Sequence, residues 1–341
     1  MPQEKDILIW GAGAIGGTVG AYLHRAGHDV SFVDVVAEHV EAIRDPARGL
    51  HITGPVDAFR VVAPACVPAE LSGRWRRVFL AVKAQDTEAA CRALLPHLSE
   101  DGYVLSLQNG LCETLIAPLA GTARTVGAFV NFGADWLAPG EILYGNRGAV
   151  VVGEIDGVRR ERTVGLHADM RDFDADAVLS NDIWSYLWGK LGYASLLFAQ
   201  AVGQLGIADC LARPELLPLW RRLAGEALSV ARAEGVQPRG FNGFDPDAFA
   251  PHASEARARA SVADMVAFNR PNAKTHSGIW RDLAIRKRRT EVDMQLVPIV
   301  EIGRRHGIDC AAIAALVEMI HEIEAGQRAL DDRNLNQLAQ S

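Results

Sequence analysis

Three scarcities narrow what this chain can be before any motif is read. Its five cysteines, Cys66, Cys91, Cys112, Cys210 and Cys310, are odd in number, scattered and never spaced as a Cys-x-x-Cys pair. Neither a disulfide framework nor a thiolate metal site follows from that spacing, and the thiols read as small buried hydrophobes in a reducing compartment. No apolar run approaches the length of roughly 18 residues that a membrane span needs, and no basic leader followed by an apolar stretch opens the chain. The expectation is a cytoplasmic protein without a membrane partner. A basic face is missing too: the formal charge is -7 and the pI about 5.8, which disfavours a polynucleotide partner. Ten histidines are present, yet no His-Glu-x-x-His and no His–Cys cluster suggests a metal site. A Gly-x-Ser-x-Gly elbow and a Gly-x-x-x-x-Gly-Lys-Ser/Thr loop are likewise absent, which leaves hydrolase and triphosphatase readings with little support.

What is present is a 341-residue chain, 49% hydrophobic and 23% charged, longer than a single core usually organises. Ile7 to Trp10 is a short apolar run ending in glycines, and Thr18 to Arg25 carries apolar residues at helical spacing, so strand, tight turn and helix follow one another. Gly27 stops that helix and Asp29 to Asp34 begins a second strand, completing a unit of about thirty residues that implies parallel pairing. A strand over Arg77 to Val82, a helix over Thr87 to Leu98 and a strand over Tyr103 to Leu107 continue the alternation. From Thr125 to Val152 the pattern is strand-rich and punctuated by glycine and proline, as expected of antiparallel additions at a sheet edge.

Beyond Asp182 strand signals nearly vanish. Helical periodicity appears over 184–204, 214–235, 254–268, 282–306 and 310–325. In the last of these Gly307 ends the preceding helix, Asp309 is the expected N-cap, and Ile313, Leu316, Val317, Ile320 and Ile323 form the apolar stripe. Asn242 to Pro251 reads as a long exposed loop, and the chain from Gly326 onward is polar enough to fray. The expected fold is therefore α/β: an N-terminal Rossmann-type doubly wound sheet over 1–180, an all-α substrate and catalytic domain over 181–330, and a polar tail at 331–341.

The first domain carries a dinucleotide-binding pattern, Gly11-Ala-Gly13-Ala14-Ile15-Gly16. Gly11 permits the tight turn, Gly13 lets backbone amides approach a pyrophosphate, and Gly16 allows the helix to pack on the sheet. A purely structural turn is the competing reading. Asp34, at the end of the second strand, can accept from an adenosine ribose hydroxyl and would repel a 2'-phosphate, which favours NAD(H) with NADP(H) as the alternative. It could instead only cap the next turn. Lys83 follows the third clear strand on the side where ligands sit in open α/β sheets. In a chain with five lysines against thirty arginines, its placement there weighs against a chance surface lysine. Gln108-Asn109-Gly110 ends the next strand in the same layer, and its amides could serve a nicotinamide and a substrate.

In the second domain Lys190 borders an apolar helical face made by Trp184, Leu187, Trp188 and Leu191. A lysine partly desolvated there could protonate a carbonyl oxygen, burial bringing its pKa toward working pH. The alternative is a snorkelling side chain with its ammonium in water. Glu291 could orient that lysine, although it sits beside Arg286, Lys287, Arg288 and Arg289, where a solvated salt-bridged helix face explains it nearly as well.

In this order the glycine loop, Ala81-Val-Lys83, Leu107-Gln-Asn109-Gly, Trp188-Gly-Lys190-Leu, and Asp282 followed by Thr290-Glu291-Val-Asp resemble the ketopantoate reductase family (2-dehydropantoate 2-reductases) through both domains. The resemblance implies NAD(P)H-dependent reduction of a 2-keto acid to a D-2-hydroxy acid in a cleft between domains. By the same resemblance Lys190 is the catalytic acid and Glu291 lies near substrate and lysine. Asn109 serves nicotinamide and substrate, Lys83 sits on the cofactor side, and Ser277 is the nearest candidate for binding the substrate carboxylate. The sequence departs from the family pattern where Ala194 and Phe198 replace asparagines four and eight residues after the lysine, which implies a less polar pocket wall. One extra residue separates Asp282 from Glu291, and Leu296-Val297 replaces an Asn-Gly pair. Asp34 stands where NADP-using members favour basic or small polar residues, and in this the chain resembles the NAD-linked D-2-hydroxyacid dehydrogenases, including D-mandelate types, of the same broad family. A dinucleotide-binding redox sensor without catalysis is the alternative of another class, and the apolar helical stripes leave room for a homodimer.

Overall fold

In a computed structural model, which describes residues 5–340, the chain divides into two units, Met1–Ile183 and Trp184–Ser341. The first apolar run forms β1 (Lys5–Trp10), with Ile7, Leu8 and Ile9 wholly buried, as befits a strand covered on both faces. Strands and helices then alternate through α1 (Ala14–Arg25), β2 (Val30–Val33), α2 (Ala37–Arg44), β3 (Leu50–Thr53), β4 (Phe59–Val61), β5 (Ala65–Cys66), β6 (Trp75–Leu80), α3 (Thr87–Leu94) and β7 (Leu98–Ser106). They continue with α4 (Glu113–Ala120), β8 (Thr125–Val130), β9 (Gly133–Ala138), β10 (Glu141–Asn146), β11 (Val150–Glu154), α5 (Glu161–Phe173) and β12 (Val178–Leu179).

Eight strands form one sheet in the order β12-β11-β8-β7-β6-β1-β2-β5. From β8 to β5 all neighbours are parallel, while β11 runs antiparallel to β8. The chain winds from β1 outward through β2 and β5, then crosses back to β6 on the other side of β1. This reversal is the switch point at which open α/β sheets bind ligands.

The segment expected to add strands at the sheet edge does so only in part. β11 joins the main sheet, but β9 and β10 leave it to form a second, four-stranded sheet in the order β4-β3-β10-β9. What draws them away is a partner distant in sequence: β10 pairs in parallel with β3, Ile142 opposite Ile52. An aromatic cluster holds this layer against the helices, with Tyr22 of α1 edge-on to Tyr144 of β10 and Phe173 of α5 at 5.8 and 5.2 Å.

The second unit is helical: α6 (Ile183–Ala201), α7 (Ile207–Leu211), α8 (Leu217–Ala233), α9 (Glu255–Asn269), α10 (Gly278–Ala284), α11 (Val292–Gln295), α12 (Val297–Arg305), α13 (Ala311–Glu324) and α14 (Arg333–Gln340). Four sequence expectations change here. The helix read over 282–306 is three helices. Asp282, almost fully buried, pairs with the guanidinium groups of Arg286 and Arg288; α10 ends at Ala284, and Lys287 beyond it takes a left-handed φ of 51°, which keeps the helix from resuming there. The N-cap of α13 is Cys310, not Asp309, and Glu226 reaches across from α8 to accept the N–H groups of Ala312 and Ile313. The segment from Asn242 to Pro251 is not an exposed loop, because Phe244 and Phe249 turn inward and stack at 5.3 Å. The tail after Gly326 does not fray: Leu335 and Leu338 bury one face of α14, and buried Asn334 donates to the Val202 carbonyl.

Candidate functional site

β1, β2, β6 and β7 stop in one layer. Trp10 is in register with Val33 and Leu80, and Leu80 with Ser106, so the residues that follow emerge side by side at one sheet edge. Gly11, Asp34, Lys83 and Asn109 all lie on these exits. The ladder continues one residue further, with Gly11 N–H donating to Val33 and Ala81 N–H to Trp10.

The glycines have three different reasons to be glycine. Gly11 has a φ of 98°, and a β-carbon there would stand 2.9 Å from the carbonyl carbon of Ala81 across the switch point. At Gly16 a β-carbon would meet the Gly11 carbonyl oxygen at 2.1 Å and an Ile9 methyl at 2.9 Å, so the first turn of α1 rests directly on β1. Gly20, one turn later, does the same against Phe32 and extends the close contact, a residue the motif did not include. Gly13 differs: it is the N-cap of α1, and nothing lies within 4 Å of where its β-carbon would be. Space is thus open beside the start of α1, where backbone N–H groups unpaired within the helix can face an anion. Ala14 and Ile15, half-buried, begin α1 beside it.

Asp34 is tied into the loop. One carboxylate oxygen accepts the Ala12 N–H at 2.8 Å and the other the Val36 N–H at 2.9 Å. It therefore caps the following turn, and a carboxylate with about four acceptor sites keeps capacity for a ligand hydroxyl. Its neighbour Val35 is 80% exposed, and the next residues are Val36, Ala37 and Glu38, with no cation among them.

Lys83 is half-buried and its backbone is held on both sides. Buried Gln108 donates to the Val82 carbonyl at 3.0 Å and to Thr87 Oγ1 at 2.7 Å, and Thr87 in turn donates to the Ala84 carbonyl. Gln108, read from sequence only as part of a turn, thus joins the β6 and β7 exits. Asn109, half-buried, follows it, and Gly110 at φ 84° makes the turn into α4.

In the second unit α6 is buried along nearly its whole length, and Lys190 is one of its few half-buried positions. Gly189 lets a neighbouring segment touch the helix backbone, since a β-carbon there would stand 2.1 Å from the Arg239 carbonyl oxygen. Ala194 and Phe198 lie one and two turns beyond Lys190 on the same face, the first 7% exposed and the second fully buried. Glu291 is also buried and precedes α11, so the solvated salt-bridged helix face does not describe it. Ser277, buried, is the N-cap of α10 and accepts the Trp280 N–H at 3.1 Å. Among the described residues no three His, Cys, Asp or Glu side chains gather as metal ligands, and no helix is long and apolar enough to cross a membrane.

A doubly wound sheet with a fitted glycine loop at its switch point, followed by a helical unit carrying a half-buried lysine, defines a dinucleotide-dependent oxidoreductase. The family model described as Ketopantoate reductase PanE/ApbA matches residues 7–157, and that of its C-terminal domain matches 182–324. The chain belongs to the ketopantoate reductase family. It is 32% identical to a 2-dehydropantoate 2-reductase of Archaeoglobus fulgidus, over 95% of this chain and 99% of that one. Among solved structures it is similar to a PanE/ApbA family ketopantoate reductase from Ralstonia eutropha JMP134, with 27% identity and a TM-score of 0.77 over 94% of this chain and 99% of that one. D-mandelate dehydrogenase, solved with NADH and anilino(oxo)acetate, shares the fold at a TM-score of 0.82 and 20% identity, over 94% and 99% of the two chains. The activity is accordingly NAD(P)H-dependent reduction of a 2-keto acid.

Proposed function

We propose that the chain uses NAD(H) and reduces a 2-keto acid less polar than ketopantoate to the D-2-hydroxy acid. The observation that carries the substrate reading is the face of α6 beyond Lys190, where Ala194 and Phe198 succeed the lysine as buried apolar residues. Where the family resemblance implies asparagines, these two side chains offer a polar substrate no hydrogen-bond partner, and unpaired polar groups are costly to bury. The cofactor reading rests on Asp34. A 2'-phosphate would face its carboxylate with no cation before Glu38, whereas a ribose hydroxyl would donate to it.

The open space at Gly13 and the absence of space at Gly11 and Gly16 fit a dinucleotide lying over the loop, with Lys83 and Asn109 on its nicotinamide side. When bound, the reduced nicotinamide supplies the hydride for the substrate's carbonyl carbon. Lys190 would hold a proton at Nζ and give it to the carbonyl oxygen, so that ketone becomes alcohol without a free alkoxide. Glu291 would position that ammonium, and Ser277 would meet the substrate carboxylate. The same groups run in reverse for oxidation of a D-2-hydroxy acid.

Initial rates with a panel of 2-keto acids of rising apolar size, each with NADH and NADPH, test the reading. An aryl or branched-chain keto acid with NADH should give the highest kcat/KM. Ketopantoate with NADPH ranking first would refute both the substrate and the cofactor assignments.

A further inference from the structure

Ala12, inside the glycine loop, is held at both ends of its backbone. Its N–H donates to Asp34, and its carbonyl oxygen lies 2.8 Å from Nε2 of His39, a side chain only 1% exposed on α2. The other ring nitrogen decides where the proton sits. Nδ1 accepts the Gly140 N–H at 2.9 Å, with the Trp136 indole N–H at 3.5 Å on the same side. Nδ1 therefore carries no proton, and Nε2 is the donor to Ala12. Gly140 cannot withdraw from the ring: its own carbonyl accepts the His51 N–H at 2.8 Å, and it turns at φ 82° between β9 and β10. The second sheet thus reaches the glycine loop through one imidazole.

The peptide between Ala12 and Gly13 is trans and planar, so its carbonyl and its N–H point to opposite sides. Fixing the Ala12 carbonyl on His39 fixes the plane of that peptide, and with it the Gly13 N–H, which points away from the ring at the start of α1. We infer that His39 is a positioning residue for the dinucleotide, aiming the Gly13 N–H at the pyrophosphate while staying out of contact with it. The role rests on the reading of Gly11 to Gly16 as a dinucleotide loop.

The test uses the full chain, titrated with NADH and with ADP-ribose, which retains the pyrophosphate but has no nicotinamide. His39→Phe keeps the ring's bulk and removes its hydrogen bonds to Ala12, Gly140 and Trp136. It should weaken both ligands by about tenfold, as the loss of one well-placed hydrogen bond predicts, and raise KM for NADH with little change in kcat at saturating cofactor. His39→Gln restores a donor toward Ala12 and an acceptor toward Gly140, and should return affinity to within about threefold. A His39→Phe variant that binds like the parent, or a His39→Gln variant as weak as His39→Phe, overturns the inference. Should His39→Phe fail to fold, nitrogen NMR of the parent imidazole still decides, since a proton found on Nδ1 instead of Nε2 would also overturn it. Failure of the parent itself to bind NADH, NADPH or ADP-ribose would refute the dinucleotide reading, a result distinguishable from the other two.

Discussion

The groups proposed to serve the cofactor at the exits of β1, β2, β6 and β7 are backbone N–H groups and the spaces left by missing side chains, whereas those proposed to act with Lys190 are side chains carried on separate helices. The first arrangement is local in sequence: Gly11, Gly13 and Gly16 span six residues, and one strand and one helix position them. The second, as proposed, would draw Lys190 from α6, Ser277 from the start of α10 and Glu291 from just before α11. A backbone site is broken by adding atoms, and a side-chain site by removing them. That difference orders the experiments below.

The largest effect is expected where one side chain is proposed to carry the proton. Lys190→Ala should lower kcat by about a hundredfold to ten-thousandfold, the usual contribution of a positioned general acid, while NADH affinity stays near the parent value. Steady-state rates with a fluorescence titration measure both. Turnover at the parental rate with intact cofactor binding would remove the proton-donor assignment and leave the second unit without its distinguishing chemistry.

A pair of alanine substitutions sharpens the comparison within the loop. Gly16→Ala places a methyl 2.1 Å from the Gly11 carbonyl oxygen, where only backbone can yield, and should cost about 3 kcal/mol of stability along with cofactor binding. Gly13→Ala places its methyl in open space at a φ of -67° that alanine accepts. The apo protein should be as stable as the parent or gain up to about 1 kcal/mol, while the methyl obstructs the ligand and weakens NADH. Chemical denaturation beside NADH titration separates these outcomes. Equal behaviour of the two variants would mean that the open space at Gly13 has no ligand to receive.

The local site was readable in sequence because its requirements repeat over short intervals: a buried run for β1, glycines at fixed spacing, and a carboxylate ending β2. The positions of Lys83 and Asn109 at that sheet edge were readable for the same reason, each being the third residue after an apolar strand. What escaped was distant pairing. β4 is three residues long and β3 four, too short for alternation to be distinctive, and β3 finds β10 some ninety residues away. The arginine run after Asp282 reads as a solvated helical surface until a buried carboxylate is known to pair with two of its members. His39 did leave a signal: it lies on the same face of α2 as Val40 and Ile43, a polar residue in an apolar stripe.

The smallest effect tests whether side chains from afar also govern stability in the helical unit. Glu226 of α8 supplies the cap that α13 lacks at its own N-cap residue, accepting the N–H groups of Ala312 and Ile313 at 3.0 and 2.9 Å. Burial pushes its carboxyl pKa above the usual 4.5, with Asp309 adding to the shift and the two N–H groups and Arg222 opposing it. The folded state therefore holds this proton more tightly than the unfolded chain does. The corresponding stability is fully present below the unfolded value and is lost as pH rises through the raised folded one. Glu226→Ala should cost about 1 kcal/mol in urea denaturation, as loss of a cap does, and the cost should be larger at pH 5 than at pH 8. A cost that grows with pH would mean that the ionised carboxylate is the favoured form, and that attraction to the helix N-terminus outweighs its burial.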